Sequence, residues 1–244
     1  MFSRLRRTLI GPPIPTRRMS LESLGKFRAL AAFSPDALSS IAYANQEIYL
    51  GLIVAGSGAL NLAWPIGLAI TGLLTITALS YYQTVFAYPS GGGSYVVARD
   101  NLGTVPGLCA AAALLIDYVL TAAVSLTAGV AAIASAFPSL WLWRVPIALG
   151  LLLLITIANL RGLRETGSVM AVPVYFFLFT YLPMLAYGAF GLFTGRIPVL
   201  PLPSIPATNG VTPLLLLHTF AAGCTALTGI EAISNGVPSF KSPE

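Results

Sequence analysis

The chain has 244 residues, 56% hydrophobic and only 9% charged, with a mean hydropathy of +0.83 and a formal net charge of +5. This balance excludes an ordinary water-soluble domain and describes an all-α, polytopic membrane protein. The positive charge does not point to nucleic acid, because the basic residues collect around apolar stretches rather than on a soluble domain.

Residues 1–33 form a basic N-terminal segment carrying Arg4, Arg6, Arg7, Arg17 and Arg18. Pro12, Pro13 and Pro15 interrupt the place where the apolar core of a signal peptide would run, so no signal peptide is expected. Within this segment Leu21, Leu24, Phe27 and Leu30 recur at helical spacing among basic residues. The pattern fits an amphipathic helix on the inner leaflet better than the alternative, a basic flexible tail.

A bilayer core of about 30 Å needs about 20 helical residues. Six runs meet that length, at 34–57, 62–87, 107–136, 142–161, 167–194 and 212–236, giving a transmembrane domain over 34–236 and a C-terminal end over 237–244. Between them lie Ser57-Gly58, Pro89 to Gly93, Pro138-Ser139, Arg161-Gly162 and the proline-rich segment Ile197 to Pro213. Eleven of the thirteen Lys and Arg residues then fall on one side, with Arg144 and Arg196 on the other. Cytoplasmic loops are enriched in Lys and Arg, so both termini are expected in the cytoplasm of a plasma-membrane protein.

Asp36, Glu47, Asp117 and Glu231 lie inside apolar runs that contain no Lys or Arg. An unpaired carboxylate in hydrocarbon costs several kcal/mol, about 3 on lenient scales, so such groups face a protein interior or a wet cavity and mark ion or proton routes. Ser34-Pro35-Asp36 reads as an N-cap serine, a proline at the first helical position, and an acid near a helix start. Asp36 and Tyr43 are two turns apart on one face, with Ser39 and Ser40 between them. Asn45, Gln46 and Glu47 are consecutive polar residues in mid-span, where the helix is expected to loosen or break and free carbonyls for a cation. Glu47 reaches the outer surface instead if the span starts earlier.

In the third run Tyr118, Thr121 and Ser125 share a face beside Asp117. Serines and threonines in such helices also serve simply to bond their own backbone or glue neighbours. In the sixth, Thr228-Gly229 is an expected break with Glu231 just beyond. His218 reads as a packing or interface residue without a second metal ligand, and Cys109 and Cys224 as small core thiols. Gly91-Gly92-Gly93-Ser94-Tyr95 lacks a preceding strand and a following Gly-Lys-Ser/Thr, which rules out a phosphate loop. With no Cys/His cluster and no nucleophile elbow, neither an enzyme nor a cofactor is expected.

Three segments together resemble the amino acid, polyamine and organocation superfamily of secondary transporters: Asp36-Ala37-Leu38-Ser39-Ser40-Ile41-Ala42-Tyr43; Pro89 to Tyr95 with Asn101-Leu102-Gly103; and Thr228 to Pro238. Asp117-Tyr118 combined with the first segment is similar to its KUP-type potassium-uptake branch. The resemblance implies a leucine-transporter-type fold with broken helices 1 and 6, built from two inverted five-helix repeats. It implies a potassium site at Asp36, Tyr43, Asp117, Tyr118, Thr121, Ser125 and Thr228, and proton coupling through Asp36, Asp117 or Glu231. The transported potassium is the one metal expected. An amino acid permease is the alternative within the superfamily, and a homodimer in the lipid bilayer is compatible with either. The chain stops just after its sixth run, which suggests a truncated product that needs a second half to transport.

Overall fold

The computed structural model describes residues 23–89, 91, 93–160, 163–196 and 204–241. Residues 1–22 lie outside them; of the expected amphipathic segment, Leu24 is buried, Phe27 and Leu30 are exposed, and Lys26 to Phe33 runs directly into the first helix instead of forming a separate one. Eight α-helices are present among the described residues: α1 (Lys26–Ile53), α2 (Ala63–Ala87), α3 (Gly93–Leu102), α4 (Thr104–Ala136), α5 (Arg144–Leu160), α6 (Leu163–Thr194), α7 (Pro213–Gly223) and α8 (Ile230–Gly236). Single 3-10 turns, Ser57–Leu62 and Pro138–Trp143, lead into α2 and α5.

Five stretches are long and apolar enough to cross a bilayer: Ser57–Ala87, Thr104–Ala136, Pro138–Leu160, Thr166–Thr194 and Pro213–Ser239. The chain is a multi-pass membrane protein. Helix α1 is not among the five, because Asp36, Asn45, Gln46 and Glu47 dilute its apolar residues. It is instead the helix around which the others gather, packing on α6, α7 and the turn after α7, with Ser40 and Leu52 wholly covered. The exterior is correspondingly apolar: Trp64, Phe86, Leu142 and Phe193 are all exposed, Phe193 by 91%, while Ser34, Ser40, Thr219, Glu231 and Ser234 are buried. Lipid tails are a good solvent for that shell and a poor one for those interior groups.

The apolar core is Ala44, Ile48 and Leu52 of α1, Ile66 and Ile70 of α2, and Ala226. Small residues bring the backbones together. Gly51 lies against the Thr219 side chain, and Gly223 against Ile48 and Ile70.

Two expectations for the first span need correction. Ser34 is not an N-cap: α1 begins eight residues earlier at Lys26 after Gly25, and Pro35 sits inside it. Lys26 to Phe33 contains strong helix formers and extends the helix through the proline, whose missing N–H withdraws the helical donor from the Ala31 carbonyl. Nor does α1 loosen at Asn45 to Glu47; it is unbroken from Lys26 to Ile53. That stretch holds no glycine or proline, so the backbone keeps its hydrogen bonds and the polar side chains project from an intact helix. Helix α3 lies outside the six expected runs, directly after the glycine-rich break.

The sixth span breaks where expected. After α7 a 3-10 turn, Cys224–Leu227, leads to Thr228 in an extended conformation (φ −68°, ψ 148°) and Gly229 in the left-handed region (φ 92°), and α8 starts at Ile230. Gly229 presses on α1 so closely that a Cβ there would stand 2.8 Å from Ala37 Cα. At one end of the bundle Leu24 N–H donates to the Ser239 carbonyl (2.8 Å) and Lys241 N–H to the Leu24 carbonyl (2.9 Å), so the first and last described residues share a face. At the other end the Val54 carbonyl accepts from Thr208 N–H and Asn209 N–H, both at 3.0 Å.

Gly229→Ala is expected to be strongly destabilising. A non-glycine residue in the left-handed region costs about 1–2 kcal/mol before the overlap with Ala37 is counted. A lower unfolding temperature and yield in detergent would show it, whereas wild-type values would mean that the break can re-form elsewhere.

Candidate functional site

Successive turns of α1 present Asp36, Ser40 and Tyr43 toward the broken sixth span. Ser40 Oγ lies 3.5 Å from Asp36 Oδ1, 2.9 Å from the Tyr43 hydroxyl and 2.7 Å from Thr228 Oγ1. Thr228 Oγ1 is also 2.8 Å from the Thr225 carbonyl. Each hydroxyl owns one proton. Thr228 donates to Ser40 or shares its proton with the Thr225 carbonyl, and Ser40 in turn donates to Asp36. This chain of bonds ties α1 to the break. On the far side of Asp36, Ser39 Oγ donates to the Asp36 carbonyl (3.0 Å) and lies 3.3 Å from Ser125 Oγ on α4.

A second set of polar groups lies between α2, α3, α4 and α8. Asp117 and Glu231 line an open cleft of about 380 Å³ with Tyr81 and Ser94, whose hydroxyls are 3.1 Å apart. The Tyr118 hydroxyl accepts from Asn235 Nδ2 at 3.1 Å. Glu231 is buried, and its Oε1 accepts the Gly229 N–H at 3.1 Å, so this acid helps hold the break open. If ionised, Asp36, Asp117 and Glu231 repel one another pairwise, and among the described residues no basic side chain acts on Asp36 or Glu231. The region then carries a negative field that a mobile cation would relieve. Among the described residues no three acidic, His or Cys side chains are close enough to hold a resident metal.

The structure therefore joins Asp36, Tyr43 and Thr228 through Ser40, brings Ser125 against Ser39 beside them, and places Asp117 and Glu231 on a neighbouring cleft, with Tyr118 bonded separately to Asn235. Thr121 is half-buried on α4 and hydrogen-bonded to neither. Glu47 stands apart, half-buried in a separate cleft of about 480 Å³ with Gln46, Trp141 and Arg144. There Arg144 donates to the Trp141 carbonyl (3.0 Å) and its guanidinium lies 4.8 Å from the indole centroid. His218 is exposed, and both cysteines are free thiols, Cys109 exposed.

Two residues went unassigned in the sequence reading. Ser40 is the hub of the first set, and its signal was its spacing, one turn from Asp36 and from Tyr43. Asn235 anchors the Tyr118 hydroxyl, and its signal was an amide near the end of an apolar span. The glycine-rich turn also gains a role. Gly91 (φ 78°) and Gly93 (φ 44°) let the start of α3 lie on α8, where a Cβ at Gly91 would stand 2.8 Å from Pro238 Cγ.

Ser40→Ala should lower the unfolding midpoint in detergent, by the equivalent of about 1–3 kcal/mol for buried partners left unpaired. Ser39→Ala, at a half-buried site, should do so less. Equal shifts for the two would remove Ser40 from the centre of the set.

A family profile described as amino acid permease matches residues 26–243. The chain is 46% identical, over its whole length, to the potassium transporter KimA of Bacillus subtilis (strain 168), covering 40% of that protein. It is 26% identical over 165 residues to the low-affinity putrescine importer PlaP of Escherichia coli (strain K12), a match spanning 66% of this chain and 36% of that one. The chain thus spans about two fifths of the length of the curated relatives it matches.

Proposed function

Because this chain belongs to the amino acid permease family, we propose that it carries the cation site of a secondary transporter whose cargo is potassium, imported together with protons. The observation that supports this most directly is the pair of carboxylate-and-hydroxyl groups near the Gly229 break with no fixed cation among the described residues. Potassium is held where protein oxygens replace its hydration shell. Asp36, Tyr43, Asp117, Tyr118, Thr121, Ser125 and Thr228 supply such oxygens. When the cation leaves, one of the mutually repelling acids takes a proton in its place. Asp36 and Asp117 are the freer candidates, since Glu231 is engaged with the Gly229 N–H. The 46% identity to a potassium transporter supports the choice of cargo.

An organic substrate is the second reading, favoured by the likeness to a putrescine importer. A diamine would neutralise the same acids. An amino acid fits less well, because its carboxylate needs free backbone N–H groups at broken helices. Helix α1 is continuous there, and the Gly229 N–H is already taken.

We place the protein in the plasma membrane, with the face shared by Leu24 and Phe240 toward the cytoplasm. The order of the spans in the sequence assigns most of the Lys and Arg residues to that side.

The reading is tested by uptake in a potassium-uptake-deficient host, using this chain alone and joined to the remaining spans of a homologue. At least one form should restore growth at low potassium. Failure of both, with putrescine or amino acid uptake rising instead, would reject potassium as the cargo. In the form that transports, Asp36→Asn and Tyr118→Phe should each raise the KM for potassium about tenfold or more, as expected for losing one charge-assisted contact. Unchanged KM and rate in both would take those residues out of the site.

A further inference from the structure

We infer that Asn235 is a positioning residue for the Tyr118 phenol, and that Gly91 and Gly93 keep open the place in which its amide sits. The inference rests on the reading of Tyr118 as a cation ligand and adds a residue that does not itself touch the ion.

Tyr118 is 37% exposed on α4, and its ring stands beside the acid-lined cleft. The hydrogen bond from Asn235 Nδ2 anchors its hydroxyl. A phenol oxygen that accepts one such bond keeps a lone pair for a cation. Without the anchor the side chain is free to swing between rotamers, and the oxygen loses its fixed place.

The other end of the same amide is unusual. Asn235 Oδ1 is buried and has no hydrogen-bond partner. A buried acceptor without a donor is costly and calls for an explanation. Turning Nδ2 toward Tyr118 forces Oδ1 toward the start of α3, and there it meets Gly93. A Cβ on Gly93 would overlap Oδ1, so any other residue would push the amide off the phenol. Two residues earlier in the chain, Gly91 does the same for the backbone: its own Cβ would stand 3.2 Å from the Asn235 carbonyl. The glycines and the asparagine form one joint between α3, α8 and α4. Helix α3 is in turn locked to α4, where a Cβ on Gly107 would stand 2.8 Å from Arg99 Cβ. Movement of α3 is therefore felt at the Tyr118 oxygen through Asn235.

The test is radiolabelled rubidium uptake, as a potassium probe, by the transport-competent form, comparing Asn235→Ala, Gly93→Ala, Tyr118→Phe and the pairwise doubles. Asn235→Ala and Gly93→Ala should each raise KM about tenfold with Vmax changed less than about twofold, a split that a general folding defect does not produce. Neither should add to Tyr118→Phe, and Gly93→Ala should have no further effect on KM once Asn235 is alanine. If Asn235→Ala does not accumulate, the Gly93→Ala and Tyr118→Phe cycle carries the same comparison. Additive effects on KM, or a normal KM in Asn235→Ala while Tyr118→Phe raises it, would overturn the inference and leave the cation site standing. A normal KM in Tyr118→Phe would remove the site reading, and this inference with it.

Discussion

The contact between Gly229 and the backbone of α1 at Asp36–Ala37 is the constraint on which the rest of the arrangement depends. A left-handed residue there stops one helix and starts another within two positions, which lets Thr228 turn to Ser40 and frees the Gly229 N–H for Glu231. A continuous sixth helix would keep those backbone groups in its own ladder and hold α1 at side-chain distance. The break therefore creates both the space and the polar groups that fill it.

That polar interior sits within an apolar shell. Lipid-facing leucines, phenylalanines and tryptophans gain nothing from packing on one another in hydrocarbon, so association of these helices rests on close contact at small residues and on hydrogen bonds. Both occur along α1: Gly51 against Thr219, Gly223 against Ile48, and Ser40 against Thr228. The helix least able to cross a bilayer by composition is thus the one most enclosed by protein. Among the described residues its Asp36 has no basic partner, and the proposed role of the transported cation is to be that partner for part of each cycle.

Much of this was legible from residue order. Long apolar runs announced the spans, and three of the four acids within them, Asp36, Asp117 and Glu231, lie near the sixth-span break, whereas Glu47 lies in a separate cleft with Arg144. Glycine beside threonine located the break, because no other residue type adopts φ 92° so readily. The failures also have physical causes. Consecutive polar residues at Asn45 to Glu47 suggested a broken α1, but side-chain polarity does not unwind a helix whose backbone donors are all present. The proline at 35 suggested a helix start, yet the residues before it are helical too. Helix α3 was hidden because it is short and not apolar, and Asn235 because its role lies in two contacts distant in sequence, at Tyr118 and at Gly93.

The central claim, that acids without fixed counter-ions share a hydrated hollow occupied by potassium, is tested most directly by chemical labelling of those acids. An apolar carbodiimide should modify Asp36 and Asp117 in membranes equilibrated with choline, and potassium should protect both in a saturable way when the adducts are mapped by mass spectrometry. Labelling that is indifferent to potassium, or is blocked by putrescine or an amino acid instead, would contradict the account.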